Sequence, residues 1–452
     1  MENTTAWSKQ DKNIILKFCD EYISYLDNSK TERLCTKYTE TLAIEKGFKN
    51  IDDVENLVPG DKVYKINRGK NIVLAVIGKD DILNGTNIVA SHIDSPRLDL
   101  KQNPLYEDSK VVLFKTHYYG GIKKYQWTTI PLSLIGVVVK ENGEVININI
   151  GEDDNDPKFI ITDLLPHLAS DQMSKNASKV IEGEELNVLV GSMPCDEEKD
   201  TFKTTVMNIF KEKYGIDEQD FVSAELEVVP SFKACTIGID NSMVGAYGQD
   251  DRVCAYTSAA AIFEQQNPER TSICFLADKE ETGSDGNTGK QSRFFENFVA
   301  ELIYKSKNDY NDMYIRKTLS NSMCLSSDVT NAVDPTFKSV NEEKNSAFLG
   351  CGVSISKYTG ARGKSSTSDA NAEYVAKIRS ILNGANVCWQ TSELGKVDVG
   401  GGGTVAKYIA NLDVDTIDIG VPLLSMHAPM EIASKADIYS AYMAYKAFYM
   451  SK

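Results

Sequence analysis

The spacing of apolar residues near the N-terminus predicts two amphipathic helices. Apolar side chains recur every three or four residues through 15–26 and again through 34–42, which is the period of one face of an α-helix. Thr31 precedes the second segment, where a threonine can cap a helix, and Gly47 follows it, where a glycine can end one. We therefore expect the chain to begin with a pair of helices.

Strands are predicted after these helices. Residues 72–77 and 87–91 are short apolar runs with many β-branched side chains, and the second run ends directly at His92. From about residue 103 the chain changes to short alternating segments, two of which are joined by the hairpin turn at 141–143, Glu-Asn-Gly. The middle third of the chain is therefore expected to be rich in β-structure.

The C-terminal half returns to strands followed by helices. Residues 271–276 and 416–419 have the composition of strands, and a closing helix is predicted from Ser434 with Asp437 as its capping-box partner. This succession predicts an α/β domain that is interrupted by a β-rich insertion. The expected boundaries give a discontinuous α/β domain of residues 1–102 and 237–452 and an insertion of residues 103–236.

The charge balance excludes two classes of partner. The chain has 452 residues, with 49 Lys and Arg against 65 Asp and Glu, and a formal charge of −16. Such a field repels nucleic-acid phosphates and anionic lipid surfaces, so we expect neither nucleic acid nor a membrane as a partner. The nine cysteines are scattered without a Cys-x-x-Cys pair, which is typical of a reducing compartment, and we expect a cytoplasmic protein.

His92 and Asp94 are the first residues with a chemical signature. They follow the strand predicted at 87–91, and catalytic side chains of α/β proteins usually lie at the ends of strands. Side chains two residues apart on a strand point the same way, so Asp94 can fix the tautomer of a metal-bound imidazole. A local hydrogen-bonded pair without a metal is the alternative.

Two pairs of adjacent carboxylates have comparable positions. Asp250 and Asp251 precede an Ala-rich segment that is predicted to be a helix, where helix capping is the alternative to metal binding. Glu280 and Glu281 follow the strand predicted at 271–276. Consecutive glutamates there diverge, so one can bind a metal while the other reaches a metal-bound water. A solvent-exposed pair is the alternative for these two residues.

Asp328 and His427 complete the set of candidate ligands. Each follows a predicted strand, and the whole chain has only four histidines. Carboxylate and imidazole ligands together are typical of zinc, cobalt or manganese and not of a thiolate zinc site. If Asp250 bridges two divalent ions while Glu281 and Asp328 bind one each, three carboxylates and a hydroxide neutralise both ions. Glu280 is then left to carry a proton.

The order and spacing of these residues resemble the aspartyl aminopeptidase family of dinuclear metallo-aminopeptidases over essentially the whole chain. The resemblance implies a three-layer α/β/α catalytic domain with an inserted β-rich domain that serves dimerisation and as a lid. It also implies a homo-oligomer that is built from dimers, with dodecamers in the family. The motifs that carry it are His92-Ile93-Asp94-Ser95-Pro96-Arg97, Tyr119-Gly120-Gly121, Glu280-Glu281-Thr282-Gly283-Ser284, Ser327-Asp328 and Ser425-Met426-His427.

The same resemblance implies a set of metal ligands. His92 and Asp328 are expected to bind one ion, Glu281 and His427 the other, and Asp250 is expected to bridge them. The implied cofactor is two divalent metal ions per subunit, with zinc favoured and cobalt or manganese as alternatives.

The catalytic roles also follow from the resemblance. Asp94 is expected to orient His92, and Glu280 is expected to act as the general base. Related dinuclear peptidases often have a cis peptide bond after the bridging aspartate, so the bond between Asp250 and Asp251 is predicted to be cis.

The parts of the chain expected to bind the substrate depart more from the family pattern. Gly402 lies in the glycine run 400–403, where backbone amides can approach a substrate, and a flexible loop is the alternative. His167 lies in the insertion, either as a structural residue or within reach of a neighbouring subunit's pocket. Loop cations can bind an acidic substrate side chain or simply be solvated, and the candidates are Lys357, Arg362 and Lys364.

These residues predict a metal-dependent aminopeptidase that removes the N-terminal residue from short peptides, with acidic N-terminal residues as one substrate class. One alternative is another two-metal amidohydrolase, such as a deacylase or a carboxypeptidase-like enzyme. The other is a catalytically silent assembly protein. The presence of Glu280 beside the candidate ligands argues against the second alternative, because a scaffold has no use for a base near a bound water.

Overall fold

The computed structural model describes residues 5–196 and 199–452. They divide into two compact units. The first contains the residues up to Asp94 together with Ala234–Met426 and Met430–Lys452, and the second contains Ser95–Lys233 and His427–Pro429. The expected boundary between residues 102 and 103 lies inside a continuous strand, Arg97–Asp108, so the second unit begins earlier in the chain than expected.

The elements of both units follow in chain order. The helices are α1 (Ala6–Lys9), α2 (Lys12–Asn28), α3 (Glu32–Glu45), α4 (Ser170–Met173), α5 (Thr201–Tyr214), α6 (Gln249–Phe263), α7 (Phe294–Lys307), α8 (Asp312–Ser320), α9 (Ala372–Gly384), α10 (Ala406–Ala410) and α11 (Lys435–Tyr449). The strands are β1 (Lys49–Asn50), β2 (Lys62–Asn67), β3 (Asn71–Val76), β4 (Asn87–His92), β5 (Arg97–Asp108), β6 (Val111–Tyr119), β7 (Leu132–Val139), β8 (Val145–Ile150), β9 (Ile160–Ile161), β10 (Val188–Gly191), β11 (Ala224–Pro230), β12 (Cys235–Ile237), β13 (Met243–Ala246), β14 (Ser272–Ala277), β15 (Met323–Ser327), β16 (Thr330–Asn331), β17 (Val353–Ser356), β18 (Trp389–Thr391), β19 (Asp415–Gly420), β20 (Pro422–Leu424) and β21 (Glu431–Ser434).

The first unit is built on a central sheet with the strand order β1-β2-β3-β14-β4-β15-β19-β17-β18. Its middle strands β14, β4, β15 and β19 run parallel to one another. Alternate residues of β4 point to opposite faces, and both faces are apolar. Val89 packs in a cluster with residues of α2, α6 and α11, whereas Ile88 packs in a second cluster with residues of α7. Helices therefore cover both faces, which confirms the expected three-layer α/β/α class.

The predicted N-terminal helices are present and capped by side chains. Asp11 accepts a hydrogen bond of 2.7 Å from the backbone N–H of Asn13 at the start of α2. Thr31 accepts one of 3.2 Å from Leu34 at the start of α3, as its position in the sequence predicts. A cap of this kind satisfies a backbone donor that the helix itself leaves unpaired.

The capping partner predicted for the closing helix is wrong. Ser434 does precede α11, but its side chain makes no capping hydrogen bond. The carboxylate of Asp437 instead accepts backbone hydrogen bonds of 2.7 Å from Gly350 and 2.6 Å from Gly352. The Asp437 carboxylate, which the spacing from Ser434 assigned to the start of α11, thus binds the distant loop that contains Gly350 and Gly352.

The second unit is β-rich, as the sequence predicts. Its sheet has the order β8-β7-β11-β5-β6-β10-β9, and the pairs are antiparallel. The hairpin predicted at residues 141–143 joins β7 to β8. Phe210 of α5 packs edge-on against Phe221, and both rings contact Phe114 of β6.

None of the helices in the described part of the chain has the length and apolar character of a transmembrane segment.

Candidate metal centre

The parallel strands of the central sheet bring the candidate ligands to one edge. His92 is the last residue of β4 and is paired in register with Ala277, the last residue of β14. Ser326 of β15 is paired with Ala90, two residues before His92. Parallel strands end at the same edge of a sheet. At this edge His92 ends β4, Glu280 follows β14 and Asp328 follows β15. The positions that the apolar pattern gave to these strands are confirmed.

The imidazole of His92 faces three carboxylates through one nitrogen. Its Nε2 lies 3.1 Å from Asp250 Oδ1, 3.7 Å from Asp328 Oδ1 and 3.9 Å from Glu280 Oε2. The ring is buried, with 1% of the residue exposed. The edge of the imidazole that can bind a metal therefore points into a cluster of oxygen donors.

The other nitrogen of the same ring faces Asp94. Nδ1 of His92 lies 3.0 Å from the backbone oxygen of Asp94 and 3.3 Å from its Oδ1. An Nδ1–H that donates to these oxygens leaves the Nε2 lone pair for a metal, because a neutral imidazole carries one proton.

Asp94 also fixes the turn that carries the two glutamates. Its Oδ1 accepts a hydrogen bond of 3.1 Å from the backbone N–H of Glu280, and its Oδ2 accepts one of 3.2 Å from Glu281. Asp94 is fully buried. One carboxylate thus connects His92 to the beginning of the glutamate turn.

Two groups of side chains in the described residues have the arrangement of a metal site. His92, Asp250 and Glu281 form one, and His92, Asp251 and Asp328 form the other, with ligand atoms within 4.8 Å of one another in each group. The peptide bond between Asp250 and Asp251 is cis, which confirms the predicted conformation. Both aspartates are buried and have non-helical backbone angles at the start of α6.

The ligand set predicted from the sequence lacks two carboxylates of this region. Asp251 belongs to one of the two groups, and its Oδ2 accepts a hydrogen bond of 3.3 Å from the backbone N–H of His92. Glu431, on β21, accepts one of 2.9 Å from the backbone N–H of Asp250. The adjacency of Asp251 to Asp250 was a usable signal, whereas nothing in the local sequence connects Glu431 with a residue 181 positions away.

The electrostatics of the cluster fit a bound cation. Burial and nearby carboxylates raise the pKa of Asp328 above its ordinary value and that of Asp251 well above it. Burial opposes the charged form of His92, but its contacts with Asp250, Asp328 and Asp94 raise its pKa well above the usual range. The buried carboxylates outnumber the single imidazole, and such an excess of negative charge is stable only when a cation or protons neutralise it. One imidazole among several carboxylates is a donor set that zinc accepts.

His427 lies in the segment His427–Pro429, which groups with the second unit. Its Nδ1 donates a hydrogen bond of 2.8 Å to the backbone oxygen of Gly121, within the same unit. Neither of the two metal-binding groups in the described residues contains His427.

Three of the expected substrate-binding residues, Lys357, Lys364 and Gly402, contact neighbouring residues of the first unit, whereas His167 belongs to the second unit. Lys364 Nζ lies 2.8 Å from Asp369 and 3.8 Å from the centre of the Tyr358 ring, and Lys357 Nζ lies 3.8 Å from the same aspartate. The backbone oxygen of Gly402 accepts a hydrogen bond from Gly360. His167 is exposed in the second unit, on the short 3-10 turn Pro166–Leu168.

A family model described as Aminopeptidase I zinc metalloprotease (M18) matches residues 25–449. The chain belongs to the M18 family of zinc metallo-aminopeptidases. A probable M18 family aminopeptidase 1 from Clostridium acetobutylicum is 53% identical over 99% of this chain and 98% of its own length. The crystal structure of an M18-family aminopeptidase from Thermotoga maritima is 46% identical, covers 99% of each chain and has a TM-score of 0.97. A structure described as the S. cerevisiae mApe1 dodecamer, 18% identical with a TM-score of 0.78, shares the fold over 96% of this chain and 97% of its own.

Membership of the M18 family determines the class of enzyme. The chain is a metallo-aminopeptidase, a hydrolase that acts on peptide bonds, and the family inferred from the motifs is confirmed. Zinc, which the ligand types favour, is the metal in the family's description. The relatives give no support to a deacylase, a carboxypeptidase-like enzyme or a silent assembly protein.

Proposed function

We propose that this M18 aminopeptidase removes the N-terminal residue of short peptides with Glu280 as its general base. The observation that carries the proposal is the position of Glu280 Oε2, 3.9 Å from His92 Nε2, while Glu280 belongs to neither ligand group. Without bound metal ions, burial raises the pKa of Glu280 to about 8; His92 opposes this shift, and the carboxylates of Asp328, Asp94 and Asp250 add to it. A carboxylate with a pKa near neutrality accepts and returns a proton effectively.

The proposed ligands are His92, Asp250, Glu281 and Asp328, which belong to the two groups at the sheet edge, together with His427, which neither group contains. His92 and Asp328 would hold one ion, Glu281 and His427 would hold the other, and Asp250 would contribute to both. When bound, a pair of divalent ions supplies an activated water and an electrophile for the peptide carbonyl. The hydrogen bond from His427 Nδ1 to a backbone oxygen supports its role, because histidine ligands usually donate their second nitrogen in this way.

The remaining side chains of the site orient these groups. Asp94 holds the tautomer of His92 and the direction of the glutamate turn through the contacts described above. Glu431 fixes the backbone of Asp250. Glu280 takes a proton from the attacking water and returns it to the leaving amine. In this division of roles, the buried residues provide rigidity and only Glu280 moves a proton.

An acidic N-terminal residue is the preferred substrate in this proposal. A small cavity of about 40 Å³ is lined by Arg362, Lys364 and Lys396, with Glu393 as the opposing acidic residue. A cluster with a cationic excess binds a carboxylate through charge-assisted hydrogen bonds. The contacts of Lys357 and Lys364 with Asp369 reduce that excess, so the preference is expected to be moderate.

The working enzyme is a homo-oligomer in this proposal, and the dodecamer described for the yeast relative is its fullest form. The second unit exposes a group of apolar side chains around His167, and such patches often mark subunit contacts. The exposed fractions lie between 51% and 76% for Leu164, Leu165, Leu168 and Met173. The proposed role of the second unit is therefore dimerisation, with His167 at the contact surface.

A cytoplasmic location is part of the same proposal. The cysteines of the described residues are free, and most are buried. Burial raises the pKa of the Cys35 and Cys274 thiols to about 11, so these side chains behave as small apolar groups. Free thiols are typical of a reducing compartment.

Matched peptides test the proposed function. The zinc-loaded protein is incubated with peptides that begin with Asp, Glu, Leu or Lys, each with a free and with an acetylated N-terminus, and released amino acids are quantified. We expect release from the free peptides alone, fastest for Asp and Glu. Release of the C-terminal amino acid from acetylated peptides would establish a carboxypeptidase-like enzyme, and release of acetate from them, assayed in parallel, would establish a deacylase. Equal rates for all four N-terminal residues would refute the acidic preference.

A further inference from the structure

A buried polar row crosses the central sheet two residues before its metal-binding edge. Ser326 of β15 is paired in register with Ala90 of β4 on one side and with Asp418 of β19 on the other. Ala90 is paired in turn with Phe275 of β14. Paired residues of adjacent strands point to the same face, and Ala90 and Phe275 belong to the apolar cluster under α7. Ser326 and Asp418 therefore face an apolar layer.

Lys290 enters this row from the loop before α7. Its Nζ lies 5.9 Å from the centre of the Phe275 ring, and 5% of the residue is exposed. The next position in the row is Ala90, whose methyl side chain leaves room for a long side chain. The charge of the ammonium group lowers the pKa of the Asp418 carboxyl, and Cys324, Asp328, Asp251 and Glu280 act on the ammonium group in turn.

Lys290 Nζ is buried and has no hydrogen-bond partner in the part of the chain that the structure describes. The Ser326 hydroxyl is close enough to the Asp418 carboxylate to donate to it, which lowers the pKa of that carboxyl. An unpaired buried polar atom is costly, and a charged one is more so.

Asp418 connects the row with the glycine run. Its Oδ1 accepts a hydrogen bond of 2.7 Å from the hydroxyl of Thr404, and Thr404 directly follows residues 400–403. Burial lowers the pKa of Lys290 to about 8 and raises that of Asp418 to about 7. Each side chain is therefore poorly stabilised in its charged form by itself, which favours a pair.

We propose that Lys290 is a positioning residue for the aminopeptidase reaction: its buried ammonium group stabilises the Asp418 carboxylate, which anchors Thr404 behind the glycine run. The inference rests on the proposed function, because the glycine run matters to the reaction only as a substrate-binding segment. Lys290 itself touches no substrate. Its removal loosens Thr404 and thereby weakens substrate binding.

A double-mutant cycle tests the pairing in the full-length protein. The variants are Lys290→Met, Asp418→Asn and the double substitution, and the readouts are KM, kcat, zinc content and the midpoint of thermal unfolding. We expect each single variant to raise KM about tenfold or more, the scale of a lost orienting contact, with kcat changed less and zinc content unchanged. The double variant is expected to be no worse than either single variant, because paired groups are not additive.

Two further variants serve as positive controls for the inference. Thr404→Val removes the hydroxyl that Asp418 holds and is expected to reproduce the KM of Asp418→Asn. Lys290→Arg keeps the positive charge and is expected to recover most of the wild-type KM. Thr404→Val also keeps the inference testable if Lys290→Met fails to fold.

A matched lysine outside the row provides the negative control. Lys62 also lies over a phenylalanine ring, 5.4 Å from the centre of Phe48, and its Nζ donates to backbone oxygens. Lys62→Met is expected to keep the wild-type KM. The inference would be overturned if Lys290→Met had the wild-type KM. It would also be overturned if the KM of the double variant rose by the product of the two single effects. Absence of wild-type cleavage would instead overturn the proposed function, and the unfolding midpoints of the cycle would still test the pairing.

Discussion

Asp94 accepts a hydrogen bond of 3.1 Å through its Oδ1 from the backbone N–H of Glu280. The same buried carboxylate receives the N–H of Glu281 and lies 3.3 Å from the His92 ring. It therefore fixes the positions of three groups relative to one another. These are the proposed ligands His92 and Glu281 and the proposed base Glu280. The geometry of the candidate metal centre therefore depends on Asp94, although Asp94 is not one of the proposed ligands.

Asp94→Asn is expected to lower activity or zinc affinity by about 10- to 100-fold, the usual cost of losing an orienting partner. The amide keeps the shape of the side chain, but one of its two ends becomes a donor and cannot accept a backbone N–H. Zinc affinity, measured by competition with a chelator, and kcat with an unblocked peptide check the result. Asp99→Asn, in the second unit, is the matched control. Unchanged values in Asp94→Asn would contradict the anchoring role.

Glu280→Gln is expected to retain zinc and to lower kcat by about 10²- to 10⁴-fold, the range for loss of a general base. Glutamine keeps the size of the side chain and cannot take a proton from water. Metal content and single-turnover kinetics measure the two effects separately. Glu301→Gln, which removes a partly buried glutamate paired with Lys65, is expected to have wild-type kinetics. Loss of zinc from Glu280→Gln would make this residue a ligand and not the base.

His92→Ala is expected to lose at least one of the two zinc ions per subunit, because the imidazole is a proposed ligand of one ion and belongs to both groups of candidate ligands. His117→Ala is the control, since His117 is exposed and its Nδ1 donates to a nearby backbone oxygen. Metal analysis after gel filtration distinguishes the variants. Full zinc occupancy in His92→Ala would exclude the cluster as the metal centre.

Much of the centre could be predicted from the sequence because it lies at strand ends. Apolar runs predict β4 and β14, and parallel strands then bring His92 and Glu280 to one edge. Contacts between distant segments leave no such pattern. Glu431 reaches Asp250 from β21, and Lys290 reaches its row from a loop. The capping role predicted for Asp437 failed for the same reason, because two distant backbone amides compete for its carboxylate.

Asp437 also gives a prediction for the pH dependence of stability. Burial raises its pKa to about 7, although hydrogen bonds from Gly350 and Gly352 oppose the shift. In the unfolded chain an aspartate has a pKa of about 3.9. Between these two pKa values the folded state binds the proton more strongly than the unfolded state does. The contribution of Asp437 to the free energy of unfolding is therefore fully present below the unfolded pKa, and it is lost as the pH rises through the folded pKa of about 7.

The comparison with Asp437→Asn isolates this effect, because the amide does not titrate. From pH 5 to pH 7 the wild type is expected to lose about 2 kcal/mol of unfolding free energy relative to the variant. Urea denaturation of the metal-free proteins at both pH values measures the difference. Parallel pH profiles of the two proteins would contradict a protonated, buried Asp437.

Anomalous diffraction at the zinc absorption edge, from crystals of the zinc-loaded protein, tests the central claim most directly. We predict two peaks per subunit, with one about 2.0–2.2 Å from His92 and Asp328, the other at the same distance from Glu281 and His427, and Asp250 bound to both. Glu280 is predicted to contact a water and neither ion. A single peak, or peaks that Asp250 does not touch, would contradict the two-metal account.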